Sequence, residues 1–349
     1  MNRKTLSATV AFLSGILLTL VFLELVLRML PVGRGAYAAE PDPAWPAHHL
    51  VPNSSYTFSS GWDLEDVQHG HINNMGYVSP FDYSRGTGGV FVVGDSFIED
   101  QMTRYDESLQ GALPSLLKRP MPVLGFGTSG GNLAHDLGVA TLIGQQFKPT
   151  WAVVVVTRRN FVNGFVTQGG YYQWTSGDEP GIGRAPDARH GLLVDSMRHL
   201  ALLAYMRGNL EADRSTLFAA KKWQQANVCH GGVLSRSDEA LVRFSAQQLP
   251  IRFKLDPSHV VLVLDTDRAA IYNPPSVPCP SRDDLALALL GREAAAAGIQ
   301  VVDMDPVFRE AYRLTGRRFD YLPVDGHWNP SAHALAAQQV ARIINGATP

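Results

Sequence analysis

The longest apolar run in this chain, residues 5–23, carries no charge and follows the basic start Met1-Asn2-Arg3-Lys4. A run of that length is about long enough to cross a ~30 Å hydrocarbon core as a helix. Beyond residue 86 the pattern changes. Short apolar runs alternate with longer segments whose apolar positions recur at helical spacing, the signature of an α/β sheet. Residues 89–93, 123–126, 151–156, 260–264 and 299–302 read as five strands. Residues 106–118, 133–147, 285–297 and 330–344 read as helices, the last with proline in its first turn. The β-branched run at 151–156 predicts a strand buried on both faces, as in a parallel sheet.

Two regions break the alternation. Residues 31–60 contain Pro31, Pro41, Pro43, Pro46 and Pro52 and no hydrophobic period, and read as a tether leading into an extended segment. Residues 161–255 follow the third strand, so they leave the sheet at its carboxyl end, where sites form in open α/β sheets. This insertion contains helix-like stretches at 192–210 and 238–248 and is expected to cover or border an active site. The resulting organisation is a transmembrane helix at 1–30, a linker at 31–71 and an α/β domain at 72–349.

Glu24 and Arg28 close the apolar segment at an i,i+4 spacing that suits a helix surface. We read the segment as a retained signal anchor. The alternative is a cleaved signal peptide, for which Ala36-Tyr37-Ala38 resembles a cleavage site. Arg3 and Lys4 place the preceding end in the cytoplasm and the α/β body in the periplasm or outside the cell.

Composition narrows the partners. Apolar residues make up 45% and charged residues 18%, as in globular proteins, and the net charge is −2. No basic stripe calls for nucleic acid. The two cysteines, Cys229 and Cys279, can pair in an oxidising compartment, closing a loop of about 50 residues worth ~4 kcal/mol in the chain-entropy model. Two unrelated thiols are the other reading. His69-Gly70-His71 is a weak ligand set for a metal, and no nucleotide-binding loop follows any strand. The candidate chemistry of this chain calls for no metal and no cofactor.

That chemistry is concentrated in a few places. Gly94-Asp95-Ser96-Phe97 ends the first strand and lifts a serine above the sheet edge. Gly127-Thr128-Ser129-Gly130-Gly131 follows the neighbouring strand, and Asn160 follows the third. Asp325-Gly326-His327-Trp328 precedes the last helix and supplies a base with its carboxylate. Trp328 reads as packing.

In this order the blocks resemble those of the SGNH hydrolases, also called the GDSL lipase/esterase superfamily, over residues 72–345. Ile72-Asn73-Asn74-Met75-Gly76-Tyr77 and the anchor end Leu23-Glu24-Leu25-Val26-Leu27-Arg28 are similar to segments of bacterial membrane-anchored members. The closing Asp325-Gly326-His327-Trp328-Asn329-Pro330 is similar to the variant found in members linked to polysaccharide acylation. The resemblance implies a flavodoxin-like, three-layer α/β/α fold with a mainly parallel five-stranded sheet and a helical insertion. It implies Ser96 as nucleophile, His327 as base and Asp325 as its partner. It also implies an oxyanion hole from the Ser96 and Gly130 N–H groups and the Asn160 side chain. The third block departs from the usual Gly-x-Asn-Asp: Thr157-Arg158-Arg159-Asn160-Phe161 lacks its Gly and Asp, which leaves Asn163 as a second amide. Arg158 and Arg159 beside it read either as recognition of an anionic substrate or as a solvated, ion-paired strand end.

The expectation is an acyl-Ser96 esterase or O-acyltransferase acting on O-acetyl groups of an extracytoplasmic glycan. A transferase would need a multi-span partner or an external donor to supply acyl groups. A lipase or thioesterase on longer acyl esters, and a non-catalytic glycan-binding scaffold, are the alternatives.

Overall fold

The computed structural model describes residues 3–175, 179–187, 197–210, 231–274, 279–321 and 325–347. Two compact units emerge. The smaller comprises residues 1–36, 55–69 and 189–227, and the larger comprises 37–54, 70–188 and 228–349.

In the smaller unit, α1 (Arg3–Met29) is continuous and its apolar side chains are exposed along most of its length. Its segment Thr5–Met29 is long and apolar enough to span a membrane, a test that a signal sequence also passes. Near its end Glu24 pairs with Arg28 at 2.7 Å and accepts hydrogen bonds from the backbone N–H groups of Ala201 and Leu202. Those are the unsatisfied donors at the start of the helix Ala201–Ala204. Leu27 packs with Val32 and Ala201. Of the expected helix at 192–210, residues 192–196 lie outside the described residues; the remainder holds Ala201–Ala204 and a π turn, Tyr205–Asn209.

Residues 31–71 hold more structure than a tether. β1 (Ser54–Ser60) and β2 (Glu65–Ile72) form a hairpin. Their polar sequences, SSYTFSS and EDVQHGHI, show no clean apolar alternation, which is why the pairing was not legible. Trp45 is also buried, in the larger unit, donating to the Tyr77 hydroxyl at 2.7 Å and packing beside Phe126 and Phe147.

The larger unit is built on five strands: β3 (Gly88–Gly94), β4 (Val123–Gly127), β5 (Lys148–Val156), β8 (Val260–Leu264) and β9 (Gln300–Asp303). Between β5 and β8 lies the small hairpin β6 (Tyr172–Trp174) and β7 (Ile182–Arg184). The main sheet is ordered β4-β3-β5-β8-β9 and every pairing is parallel, in line with the flavodoxin-like, mainly parallel five-stranded sheet that the resemblance implies.

Period-2 geometry explains the two cores. Phe91, Val93, Ala152, Val154 and Val156 point to one face, under α4 (Leu133–Gln146) and the helices Arg236–Phe253 and Arg282–Ala296. Val90, Val92, Trp151, Val153 and Val155 point to the other, under α3 (Leu109–Leu116), Met304–Thr315 and Pro330–Gly346. Each fully buried valine contributes roughly 1.5–3 kcal/mol. Because both faces are covered, polar groups of the sheet layer collect at its carboxyl edge, and the chain reverses its winding direction between β3 and β5.

Candidate active site

Ser96 is the first residue of α2 (Ser96–Glu99), which starts directly after β3. Asp95 caps this helix, accepting the Phe97 N–H on its side chain at 3.0 Å. The short helix presses on the neighbouring strand. A side chain at Gly127 would stand 1.9 Å from the Glu99 nitrogen, so only glycine allows this approach. The adjoining turn is tied down as well. Thr128 N–H donates to Gly94 O at 3.0 Å, and Glu99 accepts both the N–H and the hydroxyl of Ser129. Gly130 then adopts a left-handed φ of 76°, which favours glycine. Among the described residues, neither the Ser96 N–H nor the Gly130 N–H has a hydrogen-bond acceptor in the chain.

The far end of the sequence meets this loop. Asp325 and His327 lie on a two-stranded ribbon, with β10 (Asp320–Tyr321) pairing with β11 (Asp325–Trp328). His327 Nε2 is 2.7 Å from Ser96 Oγ, and His327 Nδ1 is 2.5 Å from Asp325 Oδ1. Burial works against the charged form of His327, but the Asp325 hydrogen bond and charge, helped by Asp95 and Asp100, outweigh it and raise the imidazole pKa. Burial likewise pushes the Asp325 carboxyl up, and His327 more than offsets it, leaving that pKa lowered. The ring carries an acceptor nitrogen aimed at a serine and a second nitrogen oriented by a carboxylate, which is the arrangement of an activated hydroxyl.

The opposite side of Ser96 is sealed. Thr157 Oγ1 is 2.7 Å from both Asp95 Oδ2 and Asn160 Oδ1, and the Thr157 N–H also donates to Asn160 Oδ1. Asn160 Nδ2 donates to Asp95 Oδ2 at 3.1 Å and to Gly131 O at 3.2 Å. The side chain expected to meet an oxyanion is therefore fully buried and has both N–H groups engaged within the protein. It stitches three sheet-edge loops together. Asn163, the other amide, ends the four-residue helix α5 (Asn160–Asn163) and is half-buried. Beneath this network burial raises the Asp95 pKa. Asp136, whose two oxygens have no hydrogen-bond partner, is held well above the usual carboxylate range, by burial first and the Asp95 charge second.

Comparison with known proteins agrees with this picture in part. Residues 244–349 match a family described as SGNH hydrolase-like domain, acetyltransferase AlgX. The matched segment carries Asp325 and His327. With the order of the blocks and of the strands, the match supports the SGNH hydrolase superfamily. No curated protein matches the chain in sequence. Solved structures similar to it include an acetylxylan esterase, Axe2, from Geobacillus stearothermophilus, at 15% identity over 74% of this chain and 94% of that one, with a TM-score of 0.39. A lipolytic G-D-S-L family protein from Veillonella parvula aligns at 10% identity over 73% and 97%, with a TM-score of 0.37. A carbohydrate acetylesterase, Est24, from Sinorhizobium meliloti aligns at 8% identity over 74% and 99%, with a TM-score of 0.36.

Other residues singled out by the sequence lie around this site and farther from it. Arg158 grips Asp284 through Nε and Nη2, at 2.6 and 2.9 Å, and Asp267 through Nη1 at 2.8 Å. It lines a cavity of 590 Å³ with Asp265, Asp267, Asp284 and Asp303. Surrounded by carboxylates, its guanidinium is an ion-paired strand end, the second of its two readings. Arg159 is exposed. Cys279 is disulfide-bonded, and Cys229 lies outside the described residues. Trp328 is buried and donates to Asp265 at 2.8 Å.

Arg268 is the residue that sequence reasoning missed. It is buried, pairs with Asp265 and with Asp320 at 3.2 Å, and donates to the carbonyl of Gly326, between Asp325 and His327. Its guanidinium also lies 5.5 Å over the Phe97 ring, and that ring is 4.9 Å from the His327 ring. It thus holds the base-bearing strand against the residue that follows the nucleophile. The available signal was an acid-rich Asp265-Thr266-Asp267-Arg268 at a strand's carboxyl end.

Proposed function

We propose that the protein is a membrane-anchored serine hydrolase or O-acyltransferase that forms an acyl-Ser96 intermediate on acetyl esters of an extracytoplasmic glycan. The observation that carries the reading is the continuous path Ser96–His327–Asp325 at hydrogen-bond distances. In the first step Ser96 Oγ attacks the ester carbonyl while its proton passes to His327 Nε2. Asp325 holds the other ring nitrogen and stabilises the imidazolium. The Ser96 and Gly130 N–H groups receive the developing oxyanion. When the tetrahedral intermediate collapses, the leaving alcohol takes the proton from His327. Water or a sugar hydroxyl then repeats the sequence on acyl-Ser96, giving hydrolysis or transfer.

The acetyl preference is supported by the description of the family matched at 244–349. The anchor is supported by α1 and by its packing, since cleavage near Ala38 would remove Glu24 from the Ala201 and Leu202 N–H groups and Leu27 from Ala201. Transfer to a sugar would draw its acyl groups from a multi-span partner or an external donor, because one span offers no path for them.

The test is hydrolysis of a series of activated esters. The wild type should prefer acetyl, and Ser96→Ala should lose on the order of 10³-fold or more in kcat. Equal rates for the two would sink the serine mechanism and favour a non-catalytic glycan-binding scaffold. A profile that peaks at long acyl chains would point to a lipase or thioesterase.

A further inference from the structure

Acyl transfer at Ser96 raises the question of which side chain completes the oxyanion site. Removing one donor from such a site typically lowers kcat by about 10²–10³-fold. Two backbone donors are at hand, on Ser96 and Gly130. Asn160 is fully buried, and both hydrogens of its amide are directed to Asp95 and Gly131. An oxyanion donor must face the cleft, and as placed the Asn160 side chain has no free N–H to offer there.

Gln168 is a second amide beside the Gly130 turn. It stands at the start of the insertion and is exposed. Its carboxamide lies directly against Gly130. A Cβ placed on Gly130 would be 3.0 Å from Gln168 Nε2, 3.5 Å from Oε1 and 3.7 Å from Cδ, and these are its three nearest neighbours. Among the described residues the carboxamide makes no hydrogen bond within the chain. The backbone that carries it is tied to the same turn. Tyr171 N–H donates to Gln168 O at 3.1 Å, and the Tyr171 hydroxyl donates to Ser129 O at 2.7 Å, one residue before Gly130. Tyr171 itself packs against the rings of His48 and His135. The Gln168 backbone is thus held beside the Gly130 turn, and its side-chain N–H groups are unused. A neutral amide can stabilise a developing negative charge without introducing a charge of its own.

We propose that Gln168 is a catalytic residue whose Nε2 donates to the acyl oxygen as it becomes negative, taking the part that Asn160 is built not to play. The proposal rests on the Ser96 mechanism above.

Full-length wild type, Gln168→Ala, Gln168→Glu and Ser96→Ala are compared on p-nitrophenyl acetate, with thermal melts alongside. For Gln168→Ala the expected result is a fall in kcat of about 10²-fold, KM within about twofold, and an unchanged melt, because the residue is exposed. Gln168→Glu should fall at least as far, since a carboxylate repels the oxyanion. Wild-type kcat in Gln168→Ala overturns the proposal. So does a raised KM with unchanged kcat, which would assign Gln168 to ground-state binding. If the wild type shows Ser96-dependent hydrolysis while Gln168→Ala is normal, only the Gln168 role fails. If Ser96→Ala is as active as wild type, the serine mechanism fails and takes this role with it.

Discussion

On one side of Ser96, the side chains of His327 and Asp325 are 28% and 29% exposed, while on the other Asn160 is fully buried with Thr157 and Asp95. Both sides are polar networks attached to the same helix, and both come from blocks that look equally functional in sequence. The difference is what each network leaves unused. The imidazole side ends in an acceptor nitrogen at the serine hydroxyl, so a proton has somewhere to go. On the Asn160 side every polar atom of the amide is matched internally, so its bonds hold loops together. A buried, satisfied network confers rigidity, and a partly open one confers chemistry.

The sharpest way to break this comparison is to disable the open side. Asp325→Asn keeps the shape but lets the imidazole adopt the wrong tautomer, and kcat should fall by roughly 10³–10⁴-fold. The pH profile carries a second readout. His327 acts as a base only when neutral, and its pKa is raised by Asp325. The rising limb of kcat/KM in the wild type should therefore lie above the ordinary histidine value of about 6.5, and in the variant it should move to lower pH. A limb that stays in place would separate Asp325 from His327.

A smaller effect, of a different kind, is expected on the sealed side. Asn160→Ala removes two donors and the acceptor of the Thr157 N–H, leaving buried groups unmatched. Stability should drop by about 2–4 kcal/mol, read from denaturant unfolding. The folded fraction, assayed well below its melting temperature, should keep kcat within about tenfold of wild type, short of the 10²–10³-fold typical of a lost oxyanion donor. An unchanged melt with a kcat loss in that range would reverse the assignment and return Asn160 to the oxyanion site.

These contrasts mark what was legible in the sequence. The five strands were, because runs such as 151–156 are apolar at every position and have no stable place except between two layers. The serine, its base and their order along the chain were, because each sits at a strand or helix boundary where a side chain is lifted to the sheet edge. Burial was not. Asn160 and Gln168 are both amides in the segment that follows β5, and nothing in their neighbours says that the first is buried and the second exposed. Arg268 was also hidden, since Asp320 and Gly326 lie more than 50 residues away in sequence and Phe97 further still. The β1–β2 hairpin escaped notice for a simpler reason, because its strands carry polar residues on both faces.

The central claim is that Ser96 is a nucleophile activated by His327. Labelling the full-length protein with a fluorophosphonate and mapping the adduct by peptide mass tests it most directly. The account predicts a single adduct on Ser96, strongly slowed in His327→Ala and missing in Ser96→Ala. Labelling that is equal in wild type and Ser96→Ala, or an adduct on another residue, would contradict it.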